Sequence, residues 1–293
     1  MSNIVKNYLR VLEVISSLNC ELEYKSGVGR IQKMSDLEVI ALSLTAEFMS
    51  IDSENSLFKS VDVNQIPNLI ERSQFNKRRR KLFLFLEEVR TKLASRFLEF
   101  EDYFIVDSMP LEICKFARHR RIKICKNDFE TAPSKGFCAS QNNWFYGYKL
   151  HGVCSINGIF HSLDITKAEV HDVHFLKNIK QQMSDCVLLG DRGYLSQSIQ
   201  LDLFQTVNVK LETPKRINQK NYKPQPYIFR KSRKRIETLF SQLCDQFRIR
   251  NNYAKTFEGF KTRILAKITV LTLVQYIINL SLIDQNNIKN QII

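Results

Sequence analysis

Acidic residues, long apolar runs and paired cysteines are all scarce in this sequence, and each scarcity excludes a class of protein. The seven cysteines are scattered and form no C-x-x-C pair, so the spacing of a disulfide framework or a zinc site is missing. The N-terminal segment lacks the long apolar core of a secretory signal peptide. The most apolar late stretch, residues 264–283, is interrupted by Lys267, Gln275 and Asn279 at helical spacing, which favours a buried amphipathic helix over a membrane span. We therefore expect a cytoplasmic protein with reduced thiols.

The shortage of acidic residues leaves the chain strongly basic. There are 30 Asp and Glu residues against 44 Lys and Arg residues, which gives a formal net charge of +14. Such an excess is typical of proteins that bind a polyanion, nucleic acid in the first place and an anionic membrane in the second. A basic protein without such a partner is the alternative. The 293 residues, 44% of them hydrophobic, are enough for one large domain and a smaller one.

The first part of the chain carries a helical pattern. From residue 1 to about residue 98, apolar residues recur every three or four positions, and no segment is convincing as a strand. Ser35 or Asp36 is placed to cap the helix that runs to Met49. We therefore expect an all-helical N-terminal domain over residues 1–98, and we interpret it as a DNA-binding domain.

A run of positive charges lies inside this helical region. The residues from Lys77 to Lys81 are all cationic and directly precede an apolar helix. Adjacent like charges repel one another unless a counter-charge spreads across them, and DNA phosphates would supply one. A solvated helix face is the alternative. The DNA-binding candidates in this run are Lys77, Arg78, Arg79 and Arg80.

Strands alternate with helices in the remainder of the chain, residues 99–293. Runs of β-branched and aromatic residues, separated by turns and helical segments, lie at residues 103–107, 143–154, 158–165, 186–189 and 207–211. A hairpin meander joined to parallel strands by crossovers forms a mixed sheet with helices on its faces. The predicted fold class is therefore mixed α/β, with this sheet domain preceded by the all-α N-terminal domain.

Two of the predicted strands are followed by an aspartate. Asp107 ends the first strand, before a Ser-Met-Pro sequence that is typical of a turn, and Asp191 follows the fourth strand. The first and fourth strands can lie side by side in such a sheet, so these two acids could be neighbours although they are distant in sequence. An Asx turn, in which Asp107 binds its own backbone, is the structural alternative.

Glu237 is a third candidate acid and lies on a long helix. Ile236, Leu239 and Phe240 belong to the apolar stripe of that helix, and Glu237 falls at the edge of the stripe. It can therefore lean toward the carboxylates of the sheet. Arg233 lies one turn earlier on nearly the same face, and a plain i, i+4 ion pair between the two is the alternative.

Three carboxylates brought together repel one another unless a cation lies between them. Mg²⁺ suits this role, because it prefers oxygen ligands and binds through a few carboxylates, water and substrate phosphate. A pair of such ions activates an attacking oxygen and stabilises a leaving oxygen at phosphorus. Phosphodiester chemistry on DNA thus fits both the acids and the excess of cations.

The segments IVDSMP, LLGDRGY and RKRIETLFSQL, in this order after a helical region, resemble the three signatures of bacterial insertion-sequence transposases of the DDE class. The resemblance implies a ribonuclease-H-like catalytic domain that cuts the ends of an insertion sequence by metal-dependent hydrolysis. The freed 3′-hydroxyls would then attack target DNA directly. It also implies a homodimer that pairs two ends, in the cytoplasm and associated with the nucleoid.

The same resemblance assigns roles to individual residues. It implies that the catalytic and metal-binding residues are Asp107, Asp191 and Glu237, and that the metal is Mg²⁺, for which Mn²⁺ could substitute. Arg233 matches the family's arginine one turn before the glutamate and would contact DNA phosphate. Some related families have a tyrosine three residues before that arginine and a lysine seven residues after the glutamate. This chain has Arg230 and Cys244 there, so those two roles are not transferred.

Basic residues beside the first strand are further candidates for DNA contact: Arg118, Arg120 and Arg121 after that strand, and Lys149 on the next. His151 could also face the site, although packing is the commoner role of a strand histidine. A solvated loop is the alternative for the three arginines. Two other functions stay open at this point: a metal-dependent DNA nuclease without strand transfer, and a non-catalytic DNA-binding remnant of a transposase.

Overall fold

The computed structural model describes residues 3–20, 32–99, 101–215, 222 and 224–280. The chain divides into two compact units, one formed by residues 1–96 together with 243–293 and the other by residues 97–242. The first is helical, and the second contains the sheet. The sequence assigned residues 99–293 to a single domain, whereas the residues from Leu243 onward belong to the helical unit.

Helices with buried apolar faces form the first unit. They are α1 (Asn3–Ser16), α2 (Asp36–Phe48), α3 (Glu54–Ser60), α4 (Arg72–Lys81), most of α5 (Phe83–Leu98) and α9 (Phe257–Leu280). Ser35 caps α2, because its hydroxyl accepts the Glu38 amide and the Glu38 carboxylate accepts the Ser35 amide. The predicted cap is therefore confirmed at Ser35.

Over residues 262–275 helix α9 is buried on all sides, rather than amphipathic as its polar residues suggested. Lys267 on α9 is fully buried, and its ammonium group lies 2.7 Å from the carboxylate of Glu47 on α2. Arg263 lies 2.8 Å from the same carboxylate. Burial alone would raise the pKa of Glu47, but these two cations outweigh burial and lower it. None of the helices in the described part of the chain combines the length and apolar character needed to cross a membrane.

The second unit is built around a mixed sheet, which has six strands in the part of the chain that the structure describes. Its strands are β1 (Tyr103–Cys114), β2 (Ser134–Cys138), β3 (Asn143–Ser155), β4 (Phe160–Lys167), β5 (Val187–Leu189) and β6 (Lys210–Glu212). β3 pairs antiparallel with β1, β2 and β4, while β1, β5 and β6 run parallel to one another. The central order β4-β3-β1-β5-β6 is that of a ribonuclease-H-like sheet, as predicted.

Strand β1 continues beyond the point where the sequence predicted its end. The strand runs through Ser108, Met109 and Pro110 to Cys114, and it remains paired with β3. The predicted Ser-Met-Pro turn after Asp107 is therefore wrong. β5 pairs only with the first residues of β1, so the other edge of β1 is open beyond Ile105. An open strand edge is where a proline is tolerated, because its missing N–H breaks no ladder bond there.

The two faces of β1 have different environments because side chains alternate along a strand. Phe104 and Val106 enter an apolar core together with residues of α6 (Leu176–Ile179) and α7 (Gln197–Val207). The opposite face carries Asp107, and helix α8 (Tyr227–Asp245) packs on that face through Phe240. This division leaves Asp107 on the side of the sheet that α8 covers.

Candidate active site

Asp107 and Asp191 lie at corresponding positions on neighbouring parallel strands. The register pairs Ile105 of β1 with Leu189 of β5. Asp107 and Asp191 each follow two residues later, and Asp191 still has an extended backbone. The parallel pairing therefore brings together two carboxylates that are distant in sequence, as the strand order predicted.

A tight turn built by the sequence D-R-G-Y fixes the orientation of Asp191. Its carboxylate oxygen Oδ1 accepts the Gly193 amide at 2.6 Å, which caps the short 3₁₀ turn of Arg192–Tyr194. A Cβ atom on Gly193 would lie 2.9 Å from that same oxygen, so a side chain there would displace the carboxylate. Tyr194 is 1% exposed and anchors the turn in the core.

Helix α8 brings the cation Arg233 and a third acid, Glu237, to the face of the sheet that carries Asp107. Its residue Phe240 packs over Gly152, the residue opposite Asp107 in the β1–β3 pairing. A Cβ atom on Gly152 would lie 2.9 Å from the ring of Phe160 and 3.7 Å from that of Phe240, so glycine allows this close packing. Glu237 lies almost one turn before Phe240 and is exposed at the edge of the buried stripe.

The pKa of the Asp107 carboxyl group is raised to about 7. Burial is the largest cause, and the negative charges of Asp191 and Glu237 contribute in the same direction. The Ser108 amide, which donates to Asp107 Oδ1 at 2.8 Å, and the charge of Arg233 act in the opposite direction. Because Coulomb interactions weaken with distance, these effects identify Asp191, Glu237 and Arg233 as neighbours of Asp107.

Asp172 is a further carboxylate at this site that the sequence did not single out. Its Oδ2 lies 3.8 Å from the position a Cβ atom on Gly193 would take. The negative charges of Asp107, Asp172 and Asp191 all raise the pKa of Tyr194, after the larger effect of its burial. In the sequence, the only signal for Asp172 was that it begins a predicted helix. Aspartates are common at that position for structural reasons, so the signal did not identify Asp172 as a site residue.

Lys149 and His151, two candidates on β3, are both occupied within the protein. The ammonium group of Lys149 donates to the Val170 carbonyl at 2.9 Å and to Asp172 Oδ1 at 3.0 Å. His151 is fully buried and stacks on Phe175 with ring centroids 5.0 Å apart. Burial lowers the pKa of His151 to about 4, so it is neutral at physiological pH.

The basic run of α4 also has internal acidic partners. Arg78 pairs with Asp36 and donates to the Met34 carbonyl at 2.6 Å. Arg79 is buried, and its guanidinium lies 2.8 Å from the carboxylate of Glu54. Lys77 is exposed and Arg80 is half-buried. The like charges of this run are therefore balanced in part by acids on other helices of the same unit.

The three arginines that follow β1 are exposed and lie at or just after a short 3₁₀ turn. Arg118 ends the turn Phe116–Arg118, and Arg120 and Arg121 follow it. None of the three makes an ion pair with a described residue. Their charges are available to an external anion.

The candidate acids suit a divalent cation in type and charge, but they do not form a closed cage. Among the residues that the structure describes, no group of three or more His, Cys, Asp or Glu side chains is close enough to hold a metal ion. Carboxylate oxygens are the donors that Mg²⁺ prefers. The repulsion that raises the pKa of Asp107 is also the interaction that a bound cation would offset.

A mixed sheet of this order, with acids on two neighbouring central strands, defines a protein of the ribonuclease-H-like class. The sequence model of the family described as "Transposase DDE domain" matches residues 99–273, which is more than half of the chain. The chain therefore belongs to this family of transposases.

Among solved structures, the chain is similar to one titled "Mos1 transposase paired-end complex with left transposon end". The sequence identity is 12%, the match covers 88% of this chain and 86% of that chain, and the TM-score is 0.22. No curated protein matches the sequence.

Proposed function

We propose that this transposase cuts the ends of an insertion sequence by phosphodiester hydrolysis and joins the freed 3′-hydroxyls to target DNA by transesterification. One observation carries the proposal. Within the segment that matches the family, the charges of Asp191, Glu237 and Arg233 all act on the carboxyl group of Asp107. Two further acids and one arginine whose charges act on the same carboxyl group suit a phosphate that reacts beside a divalent cation.

In this proposal Asp107, Asp191 and Glu237 hold the divalent ion, Mg²⁺ in the first place and Mn²⁺ as a substitute. A divalent ion bound there supplies Lewis-acid chemistry, which favours attack by an oxygen and departure of another at phosphorus. The D-R-G-Y turn keeps the Asp191 carboxylate in a fixed orientation. Arg233 neutralises part of the carboxylate charge and contacts the phosphate of the substrate.

DNA is the proposed partner, and the exposed cations are its proposed contacts. The strongest candidates make no ion pair with an acid in the described part of the chain and are Arg118, Arg120, Arg121 and Lys77. Arg78, Arg79 and Lys149 already bind internal carboxylates, so a phosphate would have to share or displace Asp36, Glu54 and Asp172. Pairing of two transposon ends would be the work of a homodimer.

The experiment that tests this proposal is strand cleavage on DNA that carries the sequences flanking the gene, with Mg²⁺ or with EDTA. We expect nicks at fixed positions that leave 3′-hydroxyl ends, followed by joining of those ends to a supercoiled target plasmid. Glu237→Gln should abolish both steps. Glu130→Gln, which removes an exposed acid in a loop of the same unit, should leave them unchanged.

The two alternatives give different products in the same assay. Metal-dependent cleavage without any joined product would support a nuclease. Specific DNA binding without cleavage in any divalent metal would support a non-catalytic remnant. Equal cleavage by wild type and Glu237→Gln would contradict the assignment of the acidic residues.

A further inference from the structure

A pocket of about 450 Å³ lies within the helical unit and is built from residues of that unit alone. Its walls come from the start of α3, from α4, and from the segment that leads into α9. The pocket contains none of the three candidate acids of the carboxylate site, although its lining residues from Tyr253 to Arg263 lie within the segment that matches the family. The lining includes Arg72, Arg79, Arg80, Tyr253, Lys255 and Thr256.

Positive charge predominates in the lining of the pocket. Five of its residues are Arg or Lys and two, Asp52 and Glu54, are acidic. Both acids have cationic partners, because Asp52 Oδ2 lies 3.1 Å from Arg248 and Glu54 lies 2.8 Å from Arg79. The other oxygen of Asp52, Oδ1, is buried without a hydrogen-bond partner among the described residues and lies 3.8 Å from the ammonium group of Lys267. Arg79 and Arg263 are paired with Glu54 and Glu47, whereas Arg72, Arg80 and Lys255 have no acidic partner among the described residues.

Two of the lining cations are free to bind a ligand. Arg72 opens α4, Lys255 precedes α9, and neither makes an ion pair with a described residue. Arg80 donates a long hydrogen bond, 3.4 Å, to the Asn76 carbonyl. Guanidinium and ammonium groups that converge on one pocket match the geometry and charge of a phosphate group.

A buried hydrogen-bond donor in the pocket wall also supports an anionic ligand. Arg79 is 5% exposed, and its Nε has no hydrogen-bond partner among the residues that the structure describes. A buried donor without a partner is costly, so such donors usually bind water or a ligand. The pocket also receives the N-terminus of the 24-residue helix α9, where the Thr256 hydroxyl accepts the Gly259 amide at 3.2 Å. The positive end of a long helix dipole favours an anion there.

An aromatic side chain at the pocket indicates which kind of molecule the anionic group belongs to. Tyr253 lines the pocket and is 63% exposed, so its ring is accessible to a ligand. Exposed aromatic rings beside a cationic groove are the platforms on which nucleobases stack. A phosphate group among the cations and a base on Tyr253 together describe a nucleotide.

We propose that this pocket binds a nucleotide, with its phosphate among Arg72, Arg80 and Lys255 and its base against Tyr253. The nucleotide could be part of a DNA strand or a free mononucleotide, since both present the same groups. The proposal concerns the helical unit only and does not depend on strand cleavage at the carboxylates.

The test uses the full chain and three probes: inorganic phosphate, AMP and a short single-stranded oligonucleotide. A thermal-shift assay compares the Tm in phosphate with the Tm in sodium chloride of equal ionic strength. Fluorescence or calorimetry measures the affinities for AMP and for the oligonucleotide. The pocket variant is Arg72→Gln/Lys255→Gln. The matched control is Lys6→Gln/Lys59→Gln, which removes two exposed cations of α1 and α3 that do not line the pocket.

We expect phosphate to raise the Tm of the wild type and of the control, and to have no effect on the pocket variant. Tyr253→Ala should keep the phosphate response but lose about tenfold in nucleotide affinity, whereas Tyr253→Phe should keep both. Loss of oligonucleotide affinity in the pocket variant would identify DNA as the source of the nucleotide, and loss of AMP affinity alone would identify a free nucleotide. No phosphate response in the wild type, or equal losses in the pocket variant and the control, would overturn the proposal.

Discussion

The ammonium group of Lys149 on β3 lies 3.0 Å from the carboxylate of Asp172, and both side chains are largely buried. Asp172 in turn lies beside the turn that holds Asp191. The pair therefore balances a negative charge that would otherwise add to those of the catalytic candidates. A Lys149 side chain engaged in this way has a structural partner before any DNA is bound.

Removing either member of this pair should destabilise the protein, and removing both should cost less than the sum. We expect a coupling free energy of about 1 kcal/mol between Lys149→Met and Asp172→Asn, measured by urea unfolding of the two single variants and the double variant. A coupling near zero, together with weaker DNA binding by Lys149→Met in both backgrounds, would show that Lys149 serves DNA and not Asp172.

Asp107 should make the metal-free protein less stable at neutral pH than an uncharged residue would. Its pKa is raised from 3.8 to about 7 in the folded protein, so the fold favours the protonated form. The stability that this group contributes is therefore present below pH 3.8 and is lost as the pH rises to about 7. Asp107→Asn should gain stability relative to wild type across this window, by up to about 4 kcal/mol before solvent screening reduces the gain.

Thermal unfolding in EDTA at pH 5 and at pH 8 measures this difference. The expected result is a Tm gain for Asp107→Asn that is larger at pH 8 than at pH 5. A gain that does not change with pH would mean that the carboxyl group titrates normally and that the neighbouring acids do not act on it.

His151 should make the fold sensitive to acid. Its pKa is lowered from 6.5 to about 4 by burial, so its contribution to stability is present above pH 6.5 and is lost as the pH falls through 4. A shift of this size corresponds to about 3 kcal/mol. His151→Asn should be less stable than wild type at pH 7 and should lose less stability than wild type between pH 6.5 and pH 4. His174→Gln, at an exposed position, should follow the wild-type profile.

Glu47 should be essential for the helical unit. Its carboxylate is the nearest counter-charge of the buried cations Arg263 and Lys267, which would otherwise keep only the more distant Asp52, 3.8 Å from Lys267. Glu47→Gln should cost about 3 to 5 kcal/mol in urea unfolding. Glu47→Leu combined with Lys267→Leu should be more stable than Glu47→Leu alone, since it removes one buried charge with its partner. If Glu47→Gln unfolds like wild type, the buried ion pairs do not contribute.

The order of the strands could be predicted from sequence because strand-like runs alternate with turns and helical segments. The length of β1 could not, since Ser-Met-Pro has the local signature of a turn and only pairing with β3 keeps it extended. β2 was missed as well. Its residues acquire a strand conformation by pairing with β3 and carry no strong pattern of their own.

The site was predictable to the extent that each residue has a local signal. Asp107, Asp191 and Glu237 each lie in a short motif. Asp172 lies in none, and it joins the site because the fold places it beside Gly193 and Tyr194. The partners of Arg78 and Arg79 are acids on other helices, so the sequence shows a run of cations without its compensation. Lys267 illustrates the same limit, because helical spacing places a charge on a face but does not reveal a buried partner.

The most direct test of the central claim, that Asp107 belongs to a divalent-cation site with Asp191 and Glu237, is Mn²⁺ binding measured by calorimetry at pH 8. It should be done with and without DNA that carries the flanking sequences, on wild type, Asp107→Asn and Glu130→Gln. We predict that wild type and Glu130→Gln bind Mn²⁺ with equal affinity and that Asp107→Asn binds at least about tenfold more weakly. Equal affinity of wild type and Asp107→Asn, or no binding by wild type even with DNA, would contradict the account.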